Sequence, residues 1–187
     1  MSGTSPAEPA DGVPLPQRRW AVLTVALAVT LSVMDSAIAN VALPSIAREL
    51  HTTAAGSIWV VNAYQLAVMV ALLPAGSLGE ILGYQRVYRV GLAIFTLTSL
   101  ACALADTLPM LAVARAVQGF GAAGVLGINT AMIRTIYPRA LLGRGIGVNA
   151  MVVAFASAVG PTLAAAILSI APWPWLFAVN LPIGAAA

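Results

Sequence analysis

Two charged side chains stand where charge is expensive. Asp35 lies about fifteen residues after Trp20 inside a long apolar run, and Arg115 lies inside another. An ionised carboxylate at the centre of a membrane-spanning helix must be paired, wetted or protonated. Ser32, Asp35, Ser36 and Ala39 share one helical face by their three- and four-residue spacing, which makes that face small and polar. Such a carboxylate either binds a proton or cation beside a water-filled path or fixes helix packing as a satisfied structural group. Arg115 has two readings as well. Its long stem can carry the guanidinium toward an interface, or the charge can work inside the bundle with Gln118, three residues on and on the same face. Spacing alone does not say whether Arg115 reaches Asp35. Gly119, Gly121, Gly124 and Gly127 thin the rest of that segment, as a closely approaching helix, water or ligand would require. Asn40, Asn62, Tyr64 and Gln65 are further polar groups at span ends, suited to interhelical hydrogen bonds or to ligand contact. Asn129 and Asn149 read as structural.

Enzyme chemistry has no support in the residues present. His51 is the single histidine and lies in a polar loop, so no nucleophile–base pair can be assembled around an imidazole. No phosphate-binding loop occurs, and the glycine-rich pieces lack the strand context of a dinucleotide site. No set of metal ligands is expected, and no cofactor. Cys102 is the single cysteine, within an apolar run, and reads as a small filler. Net charge is +3, from nine Arg and no Lys against six acids, but the arginines are scattered between apolar runs without a basic stripe, which excludes nucleic acid as a partner.

The elements that position these groups are membrane-spanning helices. The chain has 187 residues, of which 60% are hydrophobic and 8% charged, with mean hydropathy +0.94; a soluble domain carries about a quarter charged residues. A helix of roughly 20 apolar residues crosses the hydrocarbon core of a bilayer. Runs of that kind predict an all-α membrane protein with spans over Trp20–Leu43, closed by Pro44, and near Ile58–Leu78, Val90–Ala105, Met110–Ile133 and Gly145–Ile170. A sixth segment, Trp173–Ala187, is expected to fall short of a full crossing, so the chain reads as cut. Residues 1–17, rich in Pro, Ala, Ser and Gly, read as a disordered cytoplasmic tail. Alternating spans put Arg18, Arg19, Arg86, Arg89, Arg134, Arg139 and Arg144 on one side of the bilayer and Arg48 on the other, which predicts a cytoplasmic N-terminus. Trp20, Trp59, Trp173 and Trp175 sit near span ends, as interfacial anchors do. Ala156, Gly160 and Ala164 form a small-residue stripe for close helix approach, and Gly160-Pro161 predicts a bend in mid-span.

Several stretches then resemble one family, in order and with matching spacing. LSVMDSAIANVALP (Leu31–Pro44) is similar to the first-span signature LDxTIVNVALP of the fourteen-span drug:proton antiporters of the major facilitator superfamily; Asp35, Asn40 and Pro44 match it. SIWVVNAYQLA (Ser57–Ala67) resembles the family's WxxxxYxL opening of span two. GSLGEILGYQRVYRVG (Gly76–Gly91) resembles GxLxDRxGRK, with Gly76, Leu78 and Gly83 matching, Glu80 in place of Asp, and Ile81, Tyr84 and Gln85 in place of basic residues, while Arg86 and Arg89 keep some positive charge. RAVQGFGAAG (Arg115–Gly124) is similar to RxxQGxGxA, and AVGPTLAAAIL (Ala158–Leu168) to GPxxGG, with Gly160 and Pro161 kept and Ala164 and Ala165 replacing glycines. WPWLFAVNLPIG (Trp173–Gly184) resembles WRWxFxxNxPxG, with Pro174 for Arg.

The resemblance covers roughly residues 18–187 and implies the N-terminal part of a major facilitator-type helical bundle, five full transmembrane helices and a truncated sixth. It implies a multi-pass protein of the cell membrane that exchanges protons for small hydrophobic or cationic compounds in drug efflux. Asp35, Arg115, Gln118 and Asn40 would be the proton-coupling or transport residues. Gly76, Glu80, Gly83 and Arg86, with Gly160 and Pro161, would be gating or structural motif positions. A C-terminal half or a second copy would complete the path. The alternative is a non-transporting or degenerate membrane subunit lacking the second half, which the altered residues at 80, 81, 84 and 85 favour.

Overall fold

The computed structural model describes residues 12–187. Among the described residues nine α-helices follow one another: α1 (Leu15–Glu49), α2 (Ala54–Ser57), α3 (Trp59–Leu82), α4 (Tyr84–Ala103), α5 (Leu108–Leu126), α6 (Asn129–Ile136), α7 (Leu142–Leu168), α8 (Pro174–Ala178) and α9 (Asn180–Ala186), with a 3-10 turn at Arg139–Leu141. Five stretches of the described residues are long and apolar enough to cross a membrane: Leu15–Glu49, Ala54–Leu82, Tyr84–Ala103, Leu108–Ile136 and Arg139–Leu168; Pro174–Ala186 is a shorter apolar piece. Helix is the form such runs must take, because lipid offers backbone groups no partner outside the segment itself.

The boundaries correct the sequence reading in several places. Of the stretch 1–17 expected as a disordered tail, residues 1–11 lie outside the described residues. The Val13 N–H donates to the Ile136 carbonyl (3.1 Å), and α1 already begins at Leu15, with proline in its first turn, where no N–H is needed. Pro44 does not close α1 but lies inside it. The proline removes the donor that would have met the Asn40 carbonyl four residues earlier, and the helix continues past this gap. The helix stops at Leu50, next to His51 in the left-handed conformation (φ 48°). The expected loop between spans two and three is a single residue, Gly83, at φ 92°, where a side chain would be strained; α3 and α4 abut on either side of it. The mid-span Pro161 lies within one continuous helix, α7.

Small residues set how closely the helices pack. A Cβ on Gly119 would lie 2.5 Å from the Tyr64 carbonyl oxygen of α3, and one on Gly121 would lie 2.6 Å from the Phe95 nitrogen of α4. The glycines of α5 therefore accommodate helices on both flanks. A Cβ on Gly160 would lie 2.9 Å from Ala37 Cβ of α1, and Ala156 and Ala164 are wholly buried, so the predicted stripe of α7 has α1 as its partner. Trp20, Trp59 and Trp175 are exposed, as interfacial anchors would be. Trp173 is not: it is 3% exposed and packs edge-to-face on Phe177, ring centroids 6.0 Å apart. With Leu176 and Phe177 it turns inward as part of the core.

The core has two apolar clusters stacked along the helices. One gathers Val25, Ala28, Val29 and Leu31 of α1, Tyr64 of α3, Tyr88, Leu92 and Phe95 of α4, Ala122 and Val125 of α5, Ile128, and Met132 and Ile136 of α6. The other gathers Ile38, Ala42 and Ile46 of α1, Cys102 of α4, Leu111 and Ala114 of α5, and Trp173, Leu176 and Phe177. On each helix, a polar residue falls between the two: Asp35 on α1, Ser99 on α4, Arg115 and Gln118 on α5, and Asn180 on α9. Arg18 and Arg19 line a cleft with Tyr137, and Arg86 and Arg89 line another with Thr135. The arginine-rich segments thus meet at one end of the bundle.

Candidate functional site

Asp35 and Arg115 meet. Arg115 Nη1 donates to Asp35 Oδ2, an ion pair between side chains with no solvent exposure. Arg115 does not reach for an interface; its Nε donates to the Val60 carbonyl (3.2 Å) and Nη1 also donates to Gln118 Oε1 (2.6 Å). The guanidinium carbon lies 4.1 Å from the centroid of the Tyr64 ring and 5.5 Å from that of Phe177, a cation–π setting for the charge. Arg115 Nη2 is buried without a hydrogen-bond partner.

The other carboxylate oxygen, Asp35 Oδ1, accepts from Asn180 Nδ2 at 2.8 Å and from Gln118 Nε2 at 3.3 Å. Ser99 closes the circuit. Its hydroxyl donates to the Phe95 carbonyl (2.8 Å) and accepts from Gln118 Nε2 (2.7 Å) and Asn180 Nδ2 (3.4 Å). The Cys102 thiol donates to Gln118 Oε1 at 3.5 Å, a weak bond that ties this residue to the network. Four helices, α1, α4, α5 and α9, thus converge on one carboxylate through a network in which a change of charge on any member is felt by the others.

Of the residues singled out from sequence, Asp35, Arg115 and Gln118 come together; Asn40 does not. Asn40 is exposed and lines a cavity of about 480 Å³ between α1, α3 and α7, along with Ser32, Ser36, Tyr64, Gln65 and Ser157. Tyr64 separates the two regions: its ring lies under Arg115, it lines the cavity, and its hydroxyl donates to the Ser32 carbonyl (3.2 Å). Ser99 and Asn180 escaped the sequence reading. Asn180 stood within a quoted motif as an isolated polar residue in an apolar segment, which is a signal; Ser99 offered none, since serine is common in spans. Asn129 donates to Asn149 Oδ1 (3.1 Å), joining α6 to α7 as a structural pair.

The motif positions at the other end of α3 lie apart from this site. Glu80 and Arg86 are exposed and form no ion pair with a described residue. Gly76 lies near the carbonyl of Gly127, which caps α5, and Gly83 makes the reversal. Among the described residues no group of acids, histidine and cysteine could hold a metal ion.

A bundle of long apolar helices around a sealed ion pair defines a multi-pass membrane protein. The chain belongs to the Major Facilitator Superfamily, whose family model matches residues 25–187. It is 57% identical to the uncharacterized transporter YebQ of Escherichia coli (strain K12) over 96% of this chain and 39% of that protein. It is 35% identical to the multidrug resistance protein Stp of Mycobacterium tuberculosis over 88% of this chain and 31% of that one. The chain therefore spans about a third to two fifths of the length of these relatives. In fold it is similar to a bacterial homologue of the human lysosomal transporter Spinster in an inward-facing, unoccupied conformation, with TM-score 0.69 and 18% identity over 92% of this chain and 41% of that one. The fold is accordingly that of a major facilitator-type helical bundle.

Proposed function

We propose that this chain serves proton-coupled antiport, the efflux of hydrophobic or cationic small molecules across the cell membrane, with its N-terminus in the cytoplasm. The observation that carries the reading is the buried Asp35–Arg115 pair, set between two apolar clusters and one ring away from a ligand-sized cavity. Where the dielectric is low, protonating Asp35 would cancel an attraction far stronger than the same pair has in water. Arg115 would then be left to Val60, Gln118 and the two rings, and the helices that Asp35 holds together would be freed to shift. Tyr64, shared by the pair and the cavity, is the natural relay between proton and substrate.

The resemblance to Stp supports a drug substrate, and the arginine-rich end supports the orientation. Asn40 belongs to the substrate side in this scheme. Glu80 and Arg86 are available to an opposing bundle at the gate, with Gly76 and Gly83 shaping that turn. Gly160 and Pro161 hold α7 close to α1 along the cavity. Further helices, from a longer chain or a second copy, would close the path.

The test is drug-driven proton flux in vesicles holding the complete transporter. Asp35→Asn removes the titratable group and is expected to abolish the flux, and Asp35→Glu to retain more of it than Asp35→Asn. Flux that survives Asp35→Asn unchanged ends the proposal.

A further inference from the structure

We infer that the cavity between α1, α3 and α7 selects uncharged molecules that carry a hydrogen-bonding group, and that Gln65 is the side chain that reads this group. The inference rests on the transport reading above and narrows its substrate class.

Three observations lead to it. The first is that neither charge of the ion pair is offered to a ligand. Asp35 is 1% exposed and Arg115 is wholly buried. Asp35 already accepts from Arg115, Gln118 and Asn180, and neither residue lines the cavity. The second is that the lining carries no ionisable group other than the Tyr64 phenol, whose hydroxyl is bonded to Ser32. A cation entering here would leave water and meet no counter-charge on this wall, and an anion would fare no better. The third is an asymmetry among the polar groups that do face the cavity. Ser32 donates to the Ala28 carbonyl at 3.0 Å, and the Asn40 amide to Ser36 at 2.9 Å. Gln65 is exposed and, like the Ser36 and Ser157 hydroxyls, makes no hydrogen bond with a described residue; of these three it alone is an amide, with a separate donor and acceptor on a longer arm.

A free amide offers both a donor and an acceptor. Met69, one turn further along α3, and Val68 and Leu126 give the same cavity an apolar and adaptable surface. At about 480 Å³ the space suits a drug-sized molecule. The chemistry that fits is an apolar aromatic body with one carbonyl-, amide- or phosphoryl-type group directed at Gln65.

Two probes with nearly the same aromatic body separate the possibilities: triphenylphosphine oxide, neutral with a strong acceptor, and the tetraphenylphosphonium cation. Equilibrium binding to the purified complete transporter in detergent needs no proton gradient, so its outcome is independent of the flux assay above. The oxide is expected to bind at least about tenfold more tightly than the phosphonium, since a buried unpaired charge costs more than a paired neutral group. Gln65→Leu is expected to weaken the oxide by about three- to tenfold, the effect of one hydrogen bond, and to leave the phosphonium unchanged. Gln65→Glu is expected to reverse the preference. Asn62→Leu, on the same helix but outside the lining, serves as the control and is expected to change neither affinity. Tighter binding of the phosphonium by the unmodified protein, an oxide affinity indifferent to Gln65→Leu in a variant that elutes as a single species, or no binding of either probe overturns the inference. Loss of proton coupling on Asp35→Asn alongside such a result would leave the transport reading standing without it.

Discussion

Asp35 and Ser36 are adjacent in sequence and belong to different environments. Asp35 faces α4, α5 and α9 in a layer that admits no solvent, and Ser36 faces the cavity bounded by α3 and α7. In the dry layer, side chains bond to side chains: Gln118 alone engages Arg115, Asp35, Ser99 and Cys102. On the cavity wall, apart from the Tyr64 hydroxyl, which crosses to the Ser32 carbonyl of α1, polar groups bond locally to their own helix or not at all. The charges lie in the first region, and the second carries amides and hydroxyls. The difference follows from solvation. A charge in a dry interior persists only when it is paired, whereas a group on a cavity wall can keep a donor or acceptor unpaired for a ligand. One face of α1 is therefore suited to holding a proton and the neighbouring face to holding a molecule.

Substitutions can break this contrast, beginning with the largest effect. Arg115→Leu strips Asp35 of its counter-charge, and thermal unfolding of the detergent-solubilised protein is expected to show a loss of about 3–5 kcal/mol. Full stability in that variant would mean that the layer is wet and the contrast false. Gly121→Leu forces a side chain against Phe95 and Gly91 of α4, and overpacking of this kind costs about 1–3 kcal/mol; the same unfolding measurement should register it, together with weaker binding wherever the layer loses its geometry. Ser99→Ala leaves Gln118 and Asn180 each short of an acceptor and is expected to cost about 1–2 kcal/mol. Gln65→Leu sits at the other extreme: stability should stay within about 0.5 kcal/mol, as for most surface positions, while ligand binding alone responds. A Gln65→Leu variant as unstable as Ser99→Ala would make the cavity wall structural too and erase the distinction.

The sequence made much of this legible for reasons that are local. Apolar runs of bilayer length identify the five spans, because lipid leaves helix as the form that satisfies such a run. The repeats of small residues at Gly119–Gly127 and Ala156–Ala164 marked where helices approach closely, and in each case a helix is there. Trp173 misled because proximity to a span end says nothing about which way a ring turns, and α8 packs it inward. Pro44 misled because a helix supported by its neighbours tolerates the loss of one backbone bond.

What the sequence by itself determined is the cost: a carboxylate and a guanidinium placed in apolar helices had to be compensated somewhere. Only the tertiary structure decided how. Asp35 and Arg115 are eighty positions apart, and Asp35 and Asn180 are 145 apart, so the azimuth at which each helix packs selects the partners, and no local spacing encodes that angle. The same rotation turned Gln65 toward open space and Asp35 away from it.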